Sequence, residues 1–407
     1  MKTEEILSLL SLPKIEGREN ASIKIMVAMS GGIDSSTVAA ILAKMGYEVI
    51  GVTLQLYSSS NNDIANIKKG TCCAGVDIMD AKRIASKFSF PHYVLDYEDL
   101  FKEEVVDYFI DSYLDGYTPI PCTKCNQTVK FRDLLNVAKK MQADFLVTGH
   151  YALVENDMLY TAVDHNKDQT YYLFSLTPEQ LKYIRFPLGN LTKPQTRHLA
   201  QHFLDLEICD KPDSQDICFV ENGKYSQFIE KLRPGSLNPG NIIDIKTNVI
   251  LGQHQGIIKY TIGQRRGLDI SSKSGNPLYV IKIDGKNNIV YVGEKEMLLK
   301  KSILLNNVNW CIDKGKFNSF MPSDADEATL NDIVIKIRAH SDLLECMLKI
   351  NNDNKAEVIL NNSGEYAIAP GQACVIYKKI KEDSDKLLLI GGGWIEKSEN
   401  ITFGAQG

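Results

Sequence analysis

Near its N-terminus the chain reads Ile23-Lys24-Ile25-Met26-Val27-Ala28-Met29 and then Ser30-Gly31-Gly32-Ile33-Asp34-Ser35-Ser36. The first segment is a short apolar run that predicts a buried strand, and a helical pattern follows over residues 35–45. Paired glycines let backbone amides approach an anion, and a helix N-terminus adds unpaired N–H groups and positive potential. This strand–loop–helix unit predicts an α/β fold with a phosphate-binding loop.

Asp34 is the unusual member of this loop. Its carboxylate would repel a bare phosphate, so it indicates either a bound divalent cation or a helix cap. The chain contains no Gly-x4-Gly-Lys-Ser/Thr stretch, which excludes a Walker-type site. The loop instead resembles the PP-loop of ATP pyrophosphatases, which release pyrophosphate and leave an adenylate on the substrate.

Outward from this loop, strands and helices alternate through the first half of the chain. Such crossover units form a parallel sheet, with further strands predicted at 47–54, 92–95 and 144–150 and helices at 76–88 and 131–141. From about residue 278, short β-rich runs separated by turn residues are typical of a small barrel; they lie at 279–283, 288–292, 332–337, 356–360, 373–377 and 387–391. We expect an N-terminal extension 1–22, an α/β domain 23–208, a central domain 209–277 and a C-terminal β-barrel 278–398.

The composition is that of a globular protein. The 407 residues are 44% hydrophobic and 24% charged, which excludes a disordered or collagen-like chain, and their number exceeds the roughly 250–300 of a single core. No run approaches the ~18 apolar residues of a membrane span. The odd number of cysteines, nine, favours reduced thiols over structural disulfides. The first residues include acidic ones where a signal peptide needs basic ones, which favours a cytoplasmic location.

The net charge is −5, yet one window is basic. Residues 251–290 hold six basic and two acidic residues, for a net charge of +4; the basic ones are Lys259, Arg265, Arg266, Lys273, Lys282 and Lys286. Such a window is either a solvated face or a phosphate-binding patch for nucleic acid.

Two cysteine segments carry further chemistry. Cys122-Thr123-Lys124-Cys125 precedes the predicted helix 131–141, and a thiol near a helix N-terminus beside lysines is favoured as a nucleophilic thiolate. A lone Cys-x-x-Cys is also half of a zinc site, but no second pair of ligands follows nearby. Asp213-Ser214-Gln215-Asp216-Ile217-Cys218-Phe219 places another cysteine in a polar loop, where by itself it would be a small core residue.

Taken together, these segments resemble a known family. The chain resembles tRNA-specific 2-thiouridylases of bacteria and mitochondria over about residues 23 to 395. The motifs that carry the resemblance occur in the family's order: residues 30–36, Cys125-Asn126 with Lys130-Phe131, Thr148-Gly149-His150-Tyr151, Lys167-Asp168-Gln169-Thr170-Tyr171-Tyr172-Leu173, residues 213–219, Gly263-Gln264-Arg265-Arg266-Gly267-Leu268 and Pro370-Gly371-Gln372.

The resemblance implies a PP-loop domain, a small central domain and a C-terminal β-barrel. It implies ATP-dependent 2-thiolation of the wobble uridine in tRNA, with adenylation of the C2 oxygen and then sulfur transfer. ATP, with Mg²⁺, would bind at Ala28, Met29, Ser30, Gly31, Gly32, Ile33, Asp34, Ser35, Leu54 and Gly149. Cys218 would carry a persulfide loaded by a sulfur-relay protein or cysteine desulfurase. Cys125 would be the nucleophile, either attacking the persulfide to liberate sulfide or resolving it as a transient Cys125–Cys218 disulfide.

Recognition of tRNA would involve three groups of residues. The target base, which must leave its stack to reach ATP, would be lined by Ile120, Pro121 and Cys122. Other tRNA contacts would be His150, Lys167, Asp168, Gln169, Arg338, Ala339 and Gln372, and Lys259, Arg265 and Arg266 would bind phosphates.

One departure from the family pattern leaves the chemistry open. The usual Asn-Pro-Asp-x-x-Cys-Asn begins here with Ile120 in place of Asn and Cys122 in place of Asp, which puts the acid–base group in doubt. Three thiolates from Cys122, Cys125 and Cys218 are also a ligand set for an iron–sulfur cluster. The remaining alternatives are another PP-loop adenylating synthetase, which needs neither Cys125 nor Cys218, a non-catalytic RNA-binding module, and a thiol oxidoreductase using Cys122 and Cys125 alone.

Overall fold

The structure of the chain is a computed structural model. It describes residues 2–56, 75–204, 209, 211, 217–220, 224–270, 275–319, 328–351, 355–361, 364–380, 383 and 385–396. Residues 213–216 of the Cys218 motif and Lys273 of the basic window lie outside these ranges.

The strands of the described ranges form three sheets. They are β1 (Lys24–Ala28), β2 (Glu48–Gln55), β3 (His92–Asp96), β4 (Phe145–Thr148), β5 (Leu153–Glu155), β6 (Met158–Tyr160), β7 (Ile184–Arg185), β8 (Gly240–Asp244), β9 (Ile250–His254), β10 (Tyr279–Asp284), β11 (Ile289–Gly293), β12 (Ser302–Trp310), β13 (Ala328–Lys336), β14 (Leu344–Asn351), β15 (Lys355–Leu360), β16 (Ala373–Lys379) and β17 (Leu387–Ile395).

The helices lie mainly in the first half of the chain. They are α1 (Thr3–Ser8), α2 (Ile33–Lys44), α3 (Gly75–Lys87), α4 (Glu98–Phe101, then π-helical Lys102–Asp107, then Tyr108–Leu114), α5 (Pro121–Cys125, then π-helical Asn126–Asp133, then Leu134–Lys140), α6 (Pro178–Leu181), α7 (Lys193–Phe203), α8 (Tyr225–Leu232) and α9 (Lys314–Ser319). Single 3₁₀ turns lie at Asn20–Ser22, Thr170–Tyr172, Pro187–Asn190, Ile257–Lys259 and Lys295–Leu298.

The first sheet is parallel, with strand order β3-β2-β1-β4-β7. The predicted α/β class is confirmed. The chain leaves β1 toward β2 and β3 on one side and later returns to place β4 on the other. The carboxyl ends of β1 and β4 therefore form a topological switch point, where open α/β sheets bind ligands. Ala28 pairs with both Val52 and Thr148 at this edge.

Helix α5 begins ten residues earlier than the sequence pattern predicts. Its apolar periodicity is clear only from Phe131, but Pro121 occupies the first helical position, where its fixed φ and missing N–H favour a helix start. Cys122 and Cys125 therefore lie inside the helix, and the π-helical stretch begins directly after Cys125. Such π-helical segments are frequent at functional sites.

The second sheet corrects the assignment of two strands. Residues 279–283 and 288–292 were predicted as part of the C-terminal barrel, but β10 and β11 pair in the order β10-β11-β8-β9. They belong to the central domain, because β11 lies parallel to β8, a strand from the glycine- and proline-rich connector. Local alternation predicts a strand but does not say which sheet it joins.

The third sheet closes into a barrel. Strands β12-β15-β14-β13-β16-β17 follow one another and β12 also pairs with β17. A hairpin from the first half of the chain, β5–β6, adds to β17 at Leu388 and Leu389. The barrel is thereby joined to the parallel-sheet domain by main-chain hydrogen bonds. In the described ranges no helix has both the length and the apolar character needed to cross a bilayer.

Candidate active site

The loop between β1 and α2 is built around two glycines. Gly31 has φ +72°, and a Cβ there would lie 2.1 Å from the carbonyl oxygen of Asp77, so only glycine fits. Gly32 precedes α2 without any side-chain cap on the helix. The Oγ of Ser35 accepts a 3.1 Å hydrogen bond from the Ser30 amide. The buried Ser36 Oγ has no hydrogen-bond partner within the described ranges. An uncapped helix N-terminus with a spare hydroxyl suits a phosphate group.

The Asp34 carboxylate does not cap the helix. It accepts hydrogen bonds from Lys193 Nζ at 2.7 and 2.8 Å and from the Tyr151 hydroxyl at 3.1 Å. Lys193, at the first position of α7, is only 7% exposed. Sequence reasoning missed Lys193, although a cation in the first turn of a helix opposes the helix dipole and signals a nearby acid.

A second lysine holds the other side of the loop. Lys211 Nζ donates to the Gly31 carbonyl at 3.1 Å and to Asp77 at 2.8 Å, and it pairs with Asp80 at 2.5 Å. Burial by itself lowers the pKa of Lys211, but the hydrogen bonds to these two carboxylates outweigh it and the pKa is raised. Lys211, which precedes Cys218 by seven residues in the sequence, is therefore held against the PP-loop.

The turn after β4, residues 148–151, packs against both the PP-loop and α5. Because α5 carries Cys122 and Cys125, we call it the cysteine helix. A Cβ on Gly149 would lie 2.7 Å from the Ser35 amide, so the turn packs directly on the start of α2. The ring of His150 contacts Phe131 of α5 and Phe186, with centroids 5.7 and 5.8 Å away, and its Nδ1 lies 2.7 Å from Thr148 Oγ1. Burial, with a smaller effect of a nearby lysine, lowers the pKa of His150 to about 3. His150 is therefore a neutral ring clamped between two elements.

The 167–169 segment lies behind this turn. Gln169 Oε1 accepts a 2.9 Å hydrogen bond from the Tyr151 amide. Asp168 accepts from the Ala162 amide at 3.0 Å and from Thr170 Oγ1 at 2.6 Å, and burial raises its pKa. Lys167 is half-buried. The Asp168 and Gln169 side chains therefore brace the turn in this structure.

The cysteines differ in exposure. Cys122 is exposed, Cys125 is 7% exposed and Cys218 is half-buried. Cys218 packs against the core cluster that contains Cys125. The next residue, Phe219, makes edge-to-face contacts with Phe101 and Phe109 of α4, at centroid distances of 5.8 and 5.2 Å. Phe219 thus anchors the residue after Cys218 on α4 in the core.

Residues around Cys125 retain unused polar atoms. Asn126 Nδ2 donates to the Tyr172 carbonyl at 3.1 Å. Its Oδ1 and the Oγ1 of Thr123 are buried without a partner among the residues described. Ile120 and Pro121 are buried beside them. Buried polar atoms left unpaired carry a free-energy cost unless a ligand or water satisfies them.

The three cysteines do not form a metal centre in this structure. Over the described ranges, which include Cys122, Cys125 and Cys218, no group of three or more His, Cys, Asp or Glu residues is arranged to hold a metal ion. The described residues therefore give no support to Cys122, Cys125 and Cys218 as the ligand set of an iron–sulfur cluster.

The second half of the chain adds exposed basic groups and interdomain contacts. Arg265, Arg266 and Lys259 are exposed. Gln264 shapes the arginine turn: its Oε1 accepts from the Thr261 amide at 3.0 Å and its Nε2 donates to the Arg266 carbonyl at 2.9 Å. The three barrel residues predicted to contact tRNA lie elsewhere: Arg338 donates to the Ala367 carbonyl, Ala339 packs on the core, and Gln372 donates to the Thr118 carbonyl.

Comparisons with known proteins cover nearly the whole chain. Residues 23–222 match the family described as tRNA methyl transferase HUP domain, residues 226–294 its PRC-barrel domain and residues 300–395 the aminomethyltransferase beta-barrel domain. The second match ends after β11, in agreement with the sheet pairing.

Curated relatives are similar over the same length. The tRNA-specific 2-thiouridylase MnmA of Orientia tsutsugamushi (strain Boryong) is 51% identical over 379 residues, 92% of this chain and 96% of that protein. The MnmA of Rickettsia massiliae (strain Mtu5) is 50% identical over 378 residues, 92% and 96% of the two chains. That of Ruegeria sp. (strain TM1040) is 49% identical over 386 residues, 93% and 95%.

Proposed function

The chain belongs to the family of tRNA-specific 2-thiouridylases, and from that premise we propose how its own residues carry out the reaction. The activity is ATP-dependent 2-thiolation of the wobble uridine of tRNA, which makes the enzyme a tRNA-uridine 2-sulfurtransferase. One observation supports our scheme most: the 148–151 turn packs on the start of α2 through Gly149 and on the cysteine helix through His150.

The first step is adenylation of the substrate at the PP-loop. ATP binds along 28–35, with Leu54 of β2 and Gly149 at the same edge of the sheet, and it arrives as its magnesium complex because Mg²⁺ commonly binds substrate phosphates with few protein ligands. The uridine C2 oxygen attacks the α-phosphorus, and the bond to pyrophosphate breaks. The amides at the start of α2 stabilise the charge of the phosphates throughout.

The second step is sulfur transfer. The terminal sulfur of a Cys218 persulfide attacks C2, and AMP leaves. The Cys125 thiolate then attacks Cys218 Sγ, so that the sulfur–sulfur bond of the persulfide breaks and 2-thiouridine is released. The two cysteines end as a disulfide, which a cellular thiol must reduce before the next turnover. The persulfide is supplied by a sulfur-relay protein or a cysteine desulfurase, and the enzyme acts on its tRNA in the cytoplasm.

Substrate binding is divided between the site and the surface. The flipped uridine enters beside the exposed Cys122, with Ile120 and Pro121 as the wall behind it. The anticodon loop docks on the turn formed by residues 148–151 and 167–169, where Lys167 contacts it and His150, Asp168 and Gln169 hold the docking surface in shape. Arg338, Ala339 and Gln372 contact the loop from the barrel. The exposed Lys259, Arg265 and Arg266 bind phosphates.

The test is a thiolation assay with tRNA, ATP–Mg and a persulfide donor on anaerobically purified protein. Cys125→Ser and Cys218→Ser are expected to abolish 2-thiouridine formation while tRNA affinity changes less than about twofold. Cys311→Ser is the matched control. Cys311 follows β12 of the barrel, and its fully buried thiol donates a hydrogen bond to the Phe174 carbonyl. Thiolation retained in both active-site variants would overturn the scheme.

The same samples decide between the persulfide route and the iron–sulfur alternative. Iron and acid-labile sulfide are quantified before each assay. Full activity without iron, together with residual activity of Cys122→Ser, supports the two-cysteine route. Activity proportional to iron content, lost in all three cysteine variants, would make Cys122, Cys125 and Cys218 ligands and would overturn the nucleophile assignments.

A further inference from the structure

The barrel holds the main chain of Thr118 at both of its polar groups. The Thr118 amide donates to the Pro370 carbonyl at 2.9 Å, and Gln372 Nε2 donates to the Thr118 carbonyl at 2.9 Å. Gln372 and Thr118 are 254 residues apart in the sequence. We call these two hydrogen bonds the Thr118 clamp.

The clamp is rigid on the barrel side. Gly371 lies between its two arms with φ +86°, and a Cβ there would lie 2.9 Å from Tyr117 Cβ and 3.1 Å from the Thr118 amide. The Gly371 amide donates to the Ile395 carbonyl at 3.1 Å, and the Ile395 amide donates to the Gln372 carbonyl at 2.9 Å. The 370–372 turn is thus fixed to β17, and it lies so close to Tyr117 and Thr118 that a side chain at position 371 would crowd them.

The clamp lies just before the cysteine helix. Thr118 is followed by Pro119, Ile120 and Pro121, and the two prolines restrict φ at their own positions and the conformation of the residues before them. A displacement of Thr118 is therefore transmitted to the first turn of α5, which carries Cys122 and then Cys125. Position matters there, because a misplacement of about 1 Å at a reacting group costs up to about 100-fold in rate.

We propose that Gln372 is a positioning residue for sulfur transfer: through the Thr118 clamp it sets the place of residues 120–122 and of Cys125. The inference rests on the proposed function and deepens it, since a contact between Gln372 and tRNA alone does not require the bond to Thr118. It assigns to the C-terminal barrel a part in arranging the reacting groups, in addition to binding.

Two variants disturb the clamp in different ways. Gln372→Met removes the donor at nearly constant size. Gly371→Ala leaves Gln372 in place but forces a Cβ into Tyr117 and Thr118. We expect both to lower kcat about 10-fold or more at saturating tRNA, with KM for tRNA within about threefold of wild type. Asn309→Leu is the matched control, because Asn309 also donates from the barrel to carbonyls of the first half, Phe174 and Leu176, both at 2.8 Å.

A second readout does not depend on turnover. Alkylation of Cys125 by iodoacetamide, measured by mass spectrometry and compared with the rate in the wild-type protein under the same conditions, reports how well α5 is held. We expect both clamp variants to raise the Cys125 rate at least threefold and Asn309→Leu to leave it unchanged. If wild-type protein makes no 2-thiouridine, the proposed function fails, while the alkylation rates still test the clamp.

Two results would overturn the proposal. If Gln372→Met raises KM for tRNA with kcat unchanged, and Gly371→Ala has no effect, Gln372 is only a tRNA contact. If Asn309→Leu lowers kcat and exposes Cys125 as much as the clamp variants do, the effect is a general loosening of the interface and no positioning role remains.

Discussion

Asp34 of the PP-loop and Lys193 of α7 form an ion pair across 159 residues, with Lys193 Nζ 2.7 and 2.8 Å from the two carboxylate oxygens. A carboxylate in a loop that receives phosphates would repel them, and a nearly buried ammonium offsets that charge. The Tyr151 hydroxyl adds a third hydrogen bond to Asp34, so the 148–151 turn is bonded to the same carboxylate. The pair therefore sets the electrostatic potential of the nucleotide site.

Removal of the Lys193 charge is predicted to weaken ATP binding. Lys193→Met leaves the Asp34 carboxylate uncompensated next to the phosphates, and we expect the Kd for a non-hydrolysable ATP analogue to rise about 10-fold or more by calorimetry. The double variant Lys193→Met with Asp34→Asn should recover part of this loss, because the repulsion disappears with the charge. If the losses of ATP affinity in Lys193→Met and in Asp34→Asn simply add up in the double variant, the two residues act independently.

Gly31 is predicted to tolerate no side chain. Gly31→Ala combines φ +72° with a Cβ only 2.1 Å from the Asp77 carbonyl, so the loop must move away from α3 and ATP binding should be lost. Gly46→Ala is the control: its φ is +83°, but nothing lies within 4 Å of the added Cβ. It should cost about 1 kcal/mol in free energy of unfolding with ATP affinity intact. Similar ATP affinity in the two variants would contradict the prediction.

The neutral His150 predicts a specific pH dependence of stability. Its pKa is lowered to about 3 in the folded chain by burial, whereas the unfolded chain protonates it near the ordinary value of 6.5. Between these values the unfolded state binds more protons, so the stabilising contribution is complete above pH 6.5 and decreases as the pH falls. Urea unfolding at pH 7.5 and 5.5 should show wild type losing about 1 kcal/mol more than His150→Asn. Parallel losses would mean that the pKa of His150 is the same in the folded and unfolded states.

The exposed arginine turn is predicted to bind phosphate without sequence preference. Arg265→Gln and Arg266→Gln should weaken all tRNA substrates by the same factor and reduce the slope of log Kd against log salt by about 0.7–0.9 per residue. Lys246→Gln serves as control, since Lys246 lies outside the basic window and pairs with Glu294 at 2.7 Å. An unchanged salt slope in both arginine variants would place the phosphate contacts elsewhere.

Much of the fold follows from local pattern. The strand at 23–29, the glycine loop and the helix after it were predictable because backbone periodicity and helix-terminus chemistry act over a few residues. Motif order is also what singles out Cys125 and Cys218 as candidates, and the predicted place of the PP-loop between a strand and a helix is confirmed by β1 and α2. Even the helix start at Pro121 had a local signal that the apolar pattern at Phe131 concealed.

What the sequence by itself determined is therefore the α/β class of the first half, the β-rich character of the second half and the family motifs, which include the cysteines proposed as reacting groups. Only the tertiary structure decided which distant side chains meet them: Lys193 on Asp34, Lys211 on Gly31, Gln372 on Thr118, and β10 and β11 in the central sheet. The physical reason is that hydrogen bonds and ion pairs between segments hundreds of residues apart depend on how whole sheets and helices pack. No periodicity along the chain encodes that packing, since the same lysine or glutamine on a different sheet edge would contact water.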